Sequence, residues 1–423
     1  GGVAAAGSGV ALLLNYRFIG LVEGWLFWVI YRATGNYYGW LPTLVGALVS
    51  CAGLGMMFYA VRRIIRSVID AVAPEGANRL VDIMYQKRRL DKGPAVVVIG
   101  GGTGLSTLLR GLKRRTSNLT AIVTVADDGG SSGRLRHDLG IVPPGDLRSC
   151  LVALADTEPL MEKLFQYRFG GDGDLTGHSF GNLFIAAMTQ VVGGDVELAL
   201  QESSKVLAVR GQVLPASARP VKISARMTDG TVIDGESNIP SARKCIQRVT
   251  MEPADVPAVQ AALTAIRDAD IVVLGPGSLY TSVIPNLLVK DIVAALRNTR
   301  APRVYVCNVM TQPGETDQYT ASDHVRALLG HGGPGIIDEV LVNVEEIASC
   351  LLDNYAKEGA CPVEADIDEL ERLGVVAVPA RMISETNWVR HDPERLAKLI
   401  FAVLERRRKN GDKPEARQSA GAD

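Results

Sequence analysis

AVVVIGGGTGLSTLLRGLKRR, residues 95–115, sets the reading of this 423-residue chain. Residues 95–99 form a short apolar run without alternation, the pattern of a strand buried on both faces. Five residues rich in glycine follow, and residues 106–115 carry the apolar spacing of a helix. Working outward, the same unit recurs. Residues 120–126, 271–274, 304–309, 339–343 and 375–378 read as strands, most of them separated by helix-length segments such as 257–267 and 321–329. This alternation predicts a mainly parallel α/β sheet with helices on both faces, whose ligand crevice lies at the carboxyl ends of the strands. Between 198 and 246 the texture changes. Residues 205–209, 221–227 and 231–236 read as short strands, with Asp229-Gly230 as a hairpin signal, and predict a small β-rich insertion.

Hydrophobic residues make up 47% and charged residues 22%, the profile of a folded chain with a sizeable core. The formal charge is −1, from 45 basic and 46 acidic residues. No nucleic-acid partner is expected from that balance, because backbone phosphates call for a cationic surface. The 6 cysteines are scattered and form no CxxC pair, so neither a zinc site nor a redox motif is indicated.

The first ninety residues are different in kind. No residue from Trp40 to Val61 is charged, and that length predicts a transmembrane helix. An earlier apolar stretch, residues 10–31, is interrupted by Asn15, Arg17 and Glu23. It reads as a second span or as an interfacial helix. Residues 1–66 are therefore expected to form a transmembrane hairpin and 67–93 a basic linker. The α/β domain would occupy 94–405, with a disordered polar tail at 406–423. Arg62, Arg63 and Arg66 beyond the second span place the main domain on the cytoplasmic side. A homo-oligomer is left open, since an apolar pair of helices can dimerise.

Chemistry is concentrated in the strand-end loops. In Gly100-Gly101-Gly102-Thr103-Gly104, glycines allow backbone N–H groups to converge on a phosphate at a helix start. The strict dinucleotide fingerprint fails, because its third glycine position holds Leu105 or Thr107 depending on the starting glycine. A tight structural turn is the competing reading. The second loop begins Asp127-Asp128-Gly129-Gly130-Ser131-Ser132-Gly133-Arg134. Its carboxylates suit sugar hydroxyls or Mg²⁺ and its arginine suits phosphate. Asp146, in PPGDLR, suits either a helix N-cap or a ligand contact. His178 and Asn182 open a helix in GHSFGN. Gly177, Ser179 and Gly181 there have GxSxG spacing, but no strand leads into them and the nucleophile elbow is rejected. Gly277 and Ser278 follow the strand at 271–274, and NVMTQPGET (308–316) follows another.

Taken together and in this order, these strings resemble the YvcK family of bacterial proteins, the gluconeogenesis factors of the CofD-like superfamily. VVVIGGGTGLSTLLRGLK, VADDGGSSGRLR, PPGDLR, LFQYRF, GHSFGNLF, GPGSLYTSVIPNLLV, NVMTQPGET and VRHD carry the resemblance. They span about residues 95–392. The resemblance implies a Rossmann-like CofD fold and binding of UDP-sugars, notably UDP-N-acetylglucosamine. It also implies a regulatory role in carbon partitioning, cell-wall synthesis and cell shape on gluconeogenic carbon sources. Carried over, the Gly100–Gly104 loop and Asp127–Arg134 become the nucleotide cradle, with Tyr355 and Arg390 as further UDP-sugar contacts. The expectation is a non-catalytic binder, tethered to the inner face of the cytoplasmic membrane, without an obligatory cofactor and with Mg²⁺ left open. The alternative is a Mg²⁺-dependent phospholactyl transferase, in which Asp127 and Asp128 hold the metal.

Overall fold

The computed structural model describes residues 17–36, 40–72, 90–156, 159–385 and 389–409. The chain divides into two compact units, Gly1–Gln86 and Lys87–Asp423.

In the second unit the strands are β1 Val96–Gly100, β2 Leu119–Val123, β3 Gln212–Pro215, β4 Lys222–Met227, β5 Val232–Asp234, β6 Ile246–Glu252, β7 Ile271–Leu274, β8 Arg303–Val306, β9 Glu339–Asn343, β10 Val376–Ala380, β11 Ile383–Glu385 and β12 Val389–His391. Seven of them form one sheet in the order β10-β9-β8-β7-β1-β2-β3. Every neighbouring pair in it is parallel. β1 lies in register with β2 through Val98↔Ala121 and with β7 through Val98↔Val273. β1, β2, β7 and β8 are buried along their whole length, which explains the unbroken apolar runs Val96–Ile99 and Ile271–Leu274.

The chain builds outward from β1 to β3 and then returns to the other side of β1 with β7. The gap between β1 and β7 is therefore the topological switch point, where loops from both halves diverge and leave room for a ligand. β4, β5 and β6 form a separate antiparallel sheet, the expected insertion, and β11 pairs with β12.

Two local expectations are corrected. Residues 205–209 contain no strand. They follow from the helix Val196–Val206, whose start is capped by Asp195 accepting from the Leu198 N–H at 3.1 Å. The edge strand β3 comes later, at Gln212–Pro215. The C-terminal helix Pro393–Lys409 also continues past Glu405. Arg406 and Arg407 both pair with Glu339, which is 1% exposed, and Arg408 pairs with Asp270 at 2.6 Å. A carboxylate so buried requires cationic partners, and the polar tail supplies them. The remainder of the expected disordered tail lies outside the described residues.

The first unit holds two helices, Arg17–Thr34 and Leu41–Val72. The second runs through the arginines and six residues into the expected linker. Among the described residues, no single helix is long and apolar enough to cross a membrane. The expected transmembrane hairpin is therefore not found among the described residues.

Candidate functional site

The loops after β1 and β7 pack against each other at the switch point. A Cβ on Gly104 would stand 2.6 Å from the Pro276 carbonyl oxygen, and one on Gly101 would stand 2.5 Å from Asp146 Oδ2. Glycine is therefore required here for close approach. Gly277 is fixed from the neighbouring loop, where Asn308 Nδ2 donates to its carbonyl at 2.9 Å. Ser278 ends this turn, its carbonyl accepting from the N–H groups of Ser282 and Val283. Glu315, 2% exposed, accepts from the Tyr280 N–H at 3.1 Å and from Thr281 Oγ1 at 3.0 Å. Asn308 and Glu315 thus tie the GPGSLYTS and NVMTQPGET strings into one scaffold behind the site.

Toward β2 the surface opens into a cavity of about 340 Å³. Helices Gly102–Leu112, Gly130–Leu139 and Pro144–Leu154 begin at its edge and contribute Gly102, Thr103, Gly130, Ser131, Ser132 and Asp146. Asp127, Arg148, Arg168 and Asn182 complete its walls. A neighbouring cavity of about 780 Å³ shares Gly130, Ser131 and Arg168 with the first. Asp128, Arg134, His137 and Gly177 also line it. Converging helix starts present N–H groups and positive dipole ends.

The two aspartates that are adjacent in sequence have different duties. Asp128 is saturated, accepting from the Glu236 N–H, the Ser237 N–H and Ser237 Oγ at 2.9, 2.9 and 2.8 Å. It anchors the β insertion to the sheet and does not fit the role of a Mg²⁺ ligand. Asp127 accepts one bond, from the Gly129 N–H at 2.9 Å, and turns toward the cavity.

Asp146 is not an N-cap, since Pro143 holds that position without a side-chain bond. Its Oδ2 instead packs against Gly101, and burial, reinforced by the nearby Asp127 charge, raises its pKa to about 7. Glu236 reaches over from the insertion. Burial, with the charges of Asp127 and Asp146, raises it to about 8. Nothing in the sequence singled it out beyond an acidic residue in a polar turn.

His178 Nδ1 lies 3.0 Å from Ser131 Oγ, and Asn182 Nδ2 donates to the same hydroxyl at 3.1 Å. Burial, aided by the Arg134 charge, lowers the His178 pKa and favours neutral imidazole. Ser179 caps the helix Phe180–Val191 through the Asn182 N–H and accepts from Arg148 Nη1 at 2.6 Å. Its hydroxyl is engaged in structure, in keeping with rejection of the nucleophile elbow.

Tyr355 and Arg390 stand apart from both cavities. Tyr355 donates to the Val389 carbonyl at 3.1 Å and packs in a small cluster with Val309, Met310 and Ile383. Arg390 is exposed on β12, opposite Ser384. The two are neighbours on the β8 side of the switch point.

The 2-phospho-L-lactate transferase CofD family matches residues 96–383. The gluconeogenesis factor of Bacillus subtilis is 52% identical over 74% of this chain and 98% of its own length. A relative from Nostoc sp. is 48% identical over 95% of this chain and 88% of its own, so that likeness reaches well into the N-terminal unit. A crystal structure of a UPF0052 family member from Bacillus halodurans superposes with a TM-score of 0.71. It is 53% identical and covers 73% of this chain and 99% of that one. With the fold, the switch-point loops and these likenesses in agreement, the chain belongs to the CofD family, within its group of gluconeogenesis factors.

Proposed function

We propose that the crevice between the loops after β1 and β2 binds a nucleoside-diphosphate sugar, with UDP-N-acetylglucosamine as the species the family resemblance favours. The chain then acts as a regulator that senses this ligand and adjusts the flow of carbon toward cell-wall synthesis, and so cell shape, during gluconeogenic growth. The observation that carries the reading is the pair of connected cavities around the start of the helix Gly130–Leu139, lined by arginines on one side and carboxylates on the other. A pyrophosphate flanked by sugar hydroxyls has the matching chemistry. Regulation is favoured over turnover because Ser179 and Asp128, which a catalytic scheme would recruit, are engaged in holding the fold. Calorimetric titration of the full chain with UDP-N-acetylglucosamine tests this. Saturable binding without consumption of the ligand is expected, and absence of binding, or steady turnover, contradicts it.

A second reading, a CofD-like transferase, draws on Asp127, Asp146 and Glu236. Among the described residues no three His, Cys, Asp or Glu side chains are grouped to hold a metal. Asp127 and Asp146 would supply only part of a Mg²⁺ shell, and ligand phosphates would supply the rest. Mg²⁺-dependent product formation from a phospholactyl donor and a deazaflavin acceptor would establish it.

The N-terminal unit serves in this proposal as a membrane attachment at the inner face of the cytoplasmic membrane. Its exposed apolar side chains support that role: Trp25, Trp28, Met56, Phe58 and Tyr59 are each more than half exposed. The full chain is expected to float with anionic vesicles. Recovery of the chain in the soluble fraction at physiological salt contradicts the attachment.

A further inference from the structure

The first glycine loop, whose composition most suggests a phosphate cradle, reaches the cavity only through Gly102 and Thr103. A phosphate at the start of the helix Gly102–Leu112 would have to share that position with Asp146, whose Oδ2 lies only 2.5 Å from where a Cβ on Gly101 would stand. An internal carboxylate thus occupies the positive end of this helix dipole. Gly101 and Gly104 are packed so tightly against Asp146 and Pro276 that neither faces open space.

Across the crevice the sign of the charge reverses. Arg134, Arg148 and Arg168 come from three different segments and line the two connected cavities. Neutral oxygens hold all three. Arg134 Nη2 donates to the Thr176 carbonyl at 2.7 Å, Arg168 Nη1 to the Gly177 carbonyl at 2.6 Å, and Arg148 Nη1 to Ser179 Oγ at 2.6 Å. Among the described residues, none of the three forms an ion pair with a carboxylate. They also oppose one another. Burial and the Arg168 charge depress Arg148, and Arg134 and Arg168 both disfavour a charged His178. Guanidinium groups oriented by carbonyls and hydroxyls, with donors left over and no direct ion pair, only the longer-range charges of Asp127 and Asp146 on Arg148, form a site that an anion completes.

We propose that the phosphoryl groups of the ligand are held by Arg134, Arg148 and Arg168 at the start of the helix Gly130–Leu139, and not by the Gly100–Gly104 loop, whose anion position Asp146 fills. The ligand's orientation follows. Its phosphates face the guanidinium wall, and its hydroxyl groups face Asp127, Asp146 and Glu236. The identity of the ligand as a nucleotide sugar rests on the reading above, whereas the anion site does not.

The experiment compares the full chain with its R134Q/R168Q and D146N variants by calorimetry. UDP-N-acetylglucosamine and inorganic pyrophosphate are the two probes. Arg134 and Arg168 are exposed, so the double variant is expected to keep the unfolding temperature of the parent. It should lose at least about tenfold in affinity for each probe the parent binds, and the salt dependence of binding should become shallower. D146N should bind pyrophosphate at least as tightly as the parent, because it removes a negative charge from the crevice. Undiminished binding by the double variant overturns the proposal, as does loss of binding in a folded D146N. If the parent binds pyrophosphate but not the sugar nucleotide, the ligand reading fails and the pyrophosphate measurements still decide the anion site. If the parent binds neither, both fall.

Discussion

The loops after β1 and β2 look alike in sequence, each a strand followed by glycines and a helix, yet they do opposite work. In the first, glycines let backbone and carboxylate pack to contact. Gly104 lies against Pro276 and Gly101 against Asp146. In the second, Gly130 has a φ of +46° and a Cβ there would meet nothing within 4 Å. Its conformation turns the chain so that Ser131 and Ser132 line an open cavity. A glycine-rich turn is therefore evidence of close approach or of backbone direction, and only its neighbours show which.

The largest expected effect separates these two uses. Gly104→Ala should destabilise the α/β unit by about 3 kcal/mol, since neither Pro276 nor the strand behind it can retreat. Gly130→Ala should cost about 1 kcal/mol, the strain of a left-handed residue in open space. Denaturant midpoints would check both, and equal losses would break the contrast.

Next comes the pair of adjacent aspartates. Asp128→Ala removes three hydrogen bonds that join the β4–β6 sheet to the parallel sheet, and about 2 kcal/mol of stability should go with them. Amide exchange in β4 and β6 should accelerate. Asp127→Ala removes a single bond and should cost about 1 kcal/mol or less while weakening ligand binding. A reversed order of stability loss would show that the two carboxylates have been assigned the wrong duties.

The last contrast concerns pH. Asp146 and Glu236 have folded pKa values raised to about 7 and about 8, so the folded chain binds these protons more tightly than the unfolded chain. Their favourable contribution is complete below the ordinary carboxylate range. It is lost as pH rises through those two values. The ligand-free chain should therefore melt clearly lower at pH 9 than at pH 5 through these groups. The double change D146N/E236Q should flatten that slope, and an unaltered slope would mean that neither group is ionising in a buried setting.

How much of this was legible in the sequence depends on where each partner lies. β7 and β9 were read at their observed boundaries because β7 is wholly apolar and β9 is built on the apolar run Val340–Val342, which leaves little choice of face. β3 escaped notice because an edge strand that opens with Gln212 and closes with Pro215 has no apolar run to mark it. Residues 205–209 misled because KVLAV has strand composition, while the deciding cap, Asp195, stands ten residues earlier. The arginines at 406–408 read as a solvated tail because their partners, Glu339 and Asp270, belong to distant strand ends. The same limit applies in the site. Asp127 and Asp128 were indistinguishable locally, since Ser237, which engages Asp128, is 109 residues away. Glycine loops announce a crevice, but charge neutralisation across it is a property of the folded chain.

The most direct test is a crystal structure of the chain with UDP-N-acetylglucosamine. The pyrophosphate oxygens are expected within about 3 Å of the Arg134, Arg148 and Arg168 guanidinium nitrogens, with Asp146 still packed against Gly101. A pyrophosphate seated on the N–H groups of Gly102, Thr103 and Gly104, with Asp146 displaced, would contradict this placement.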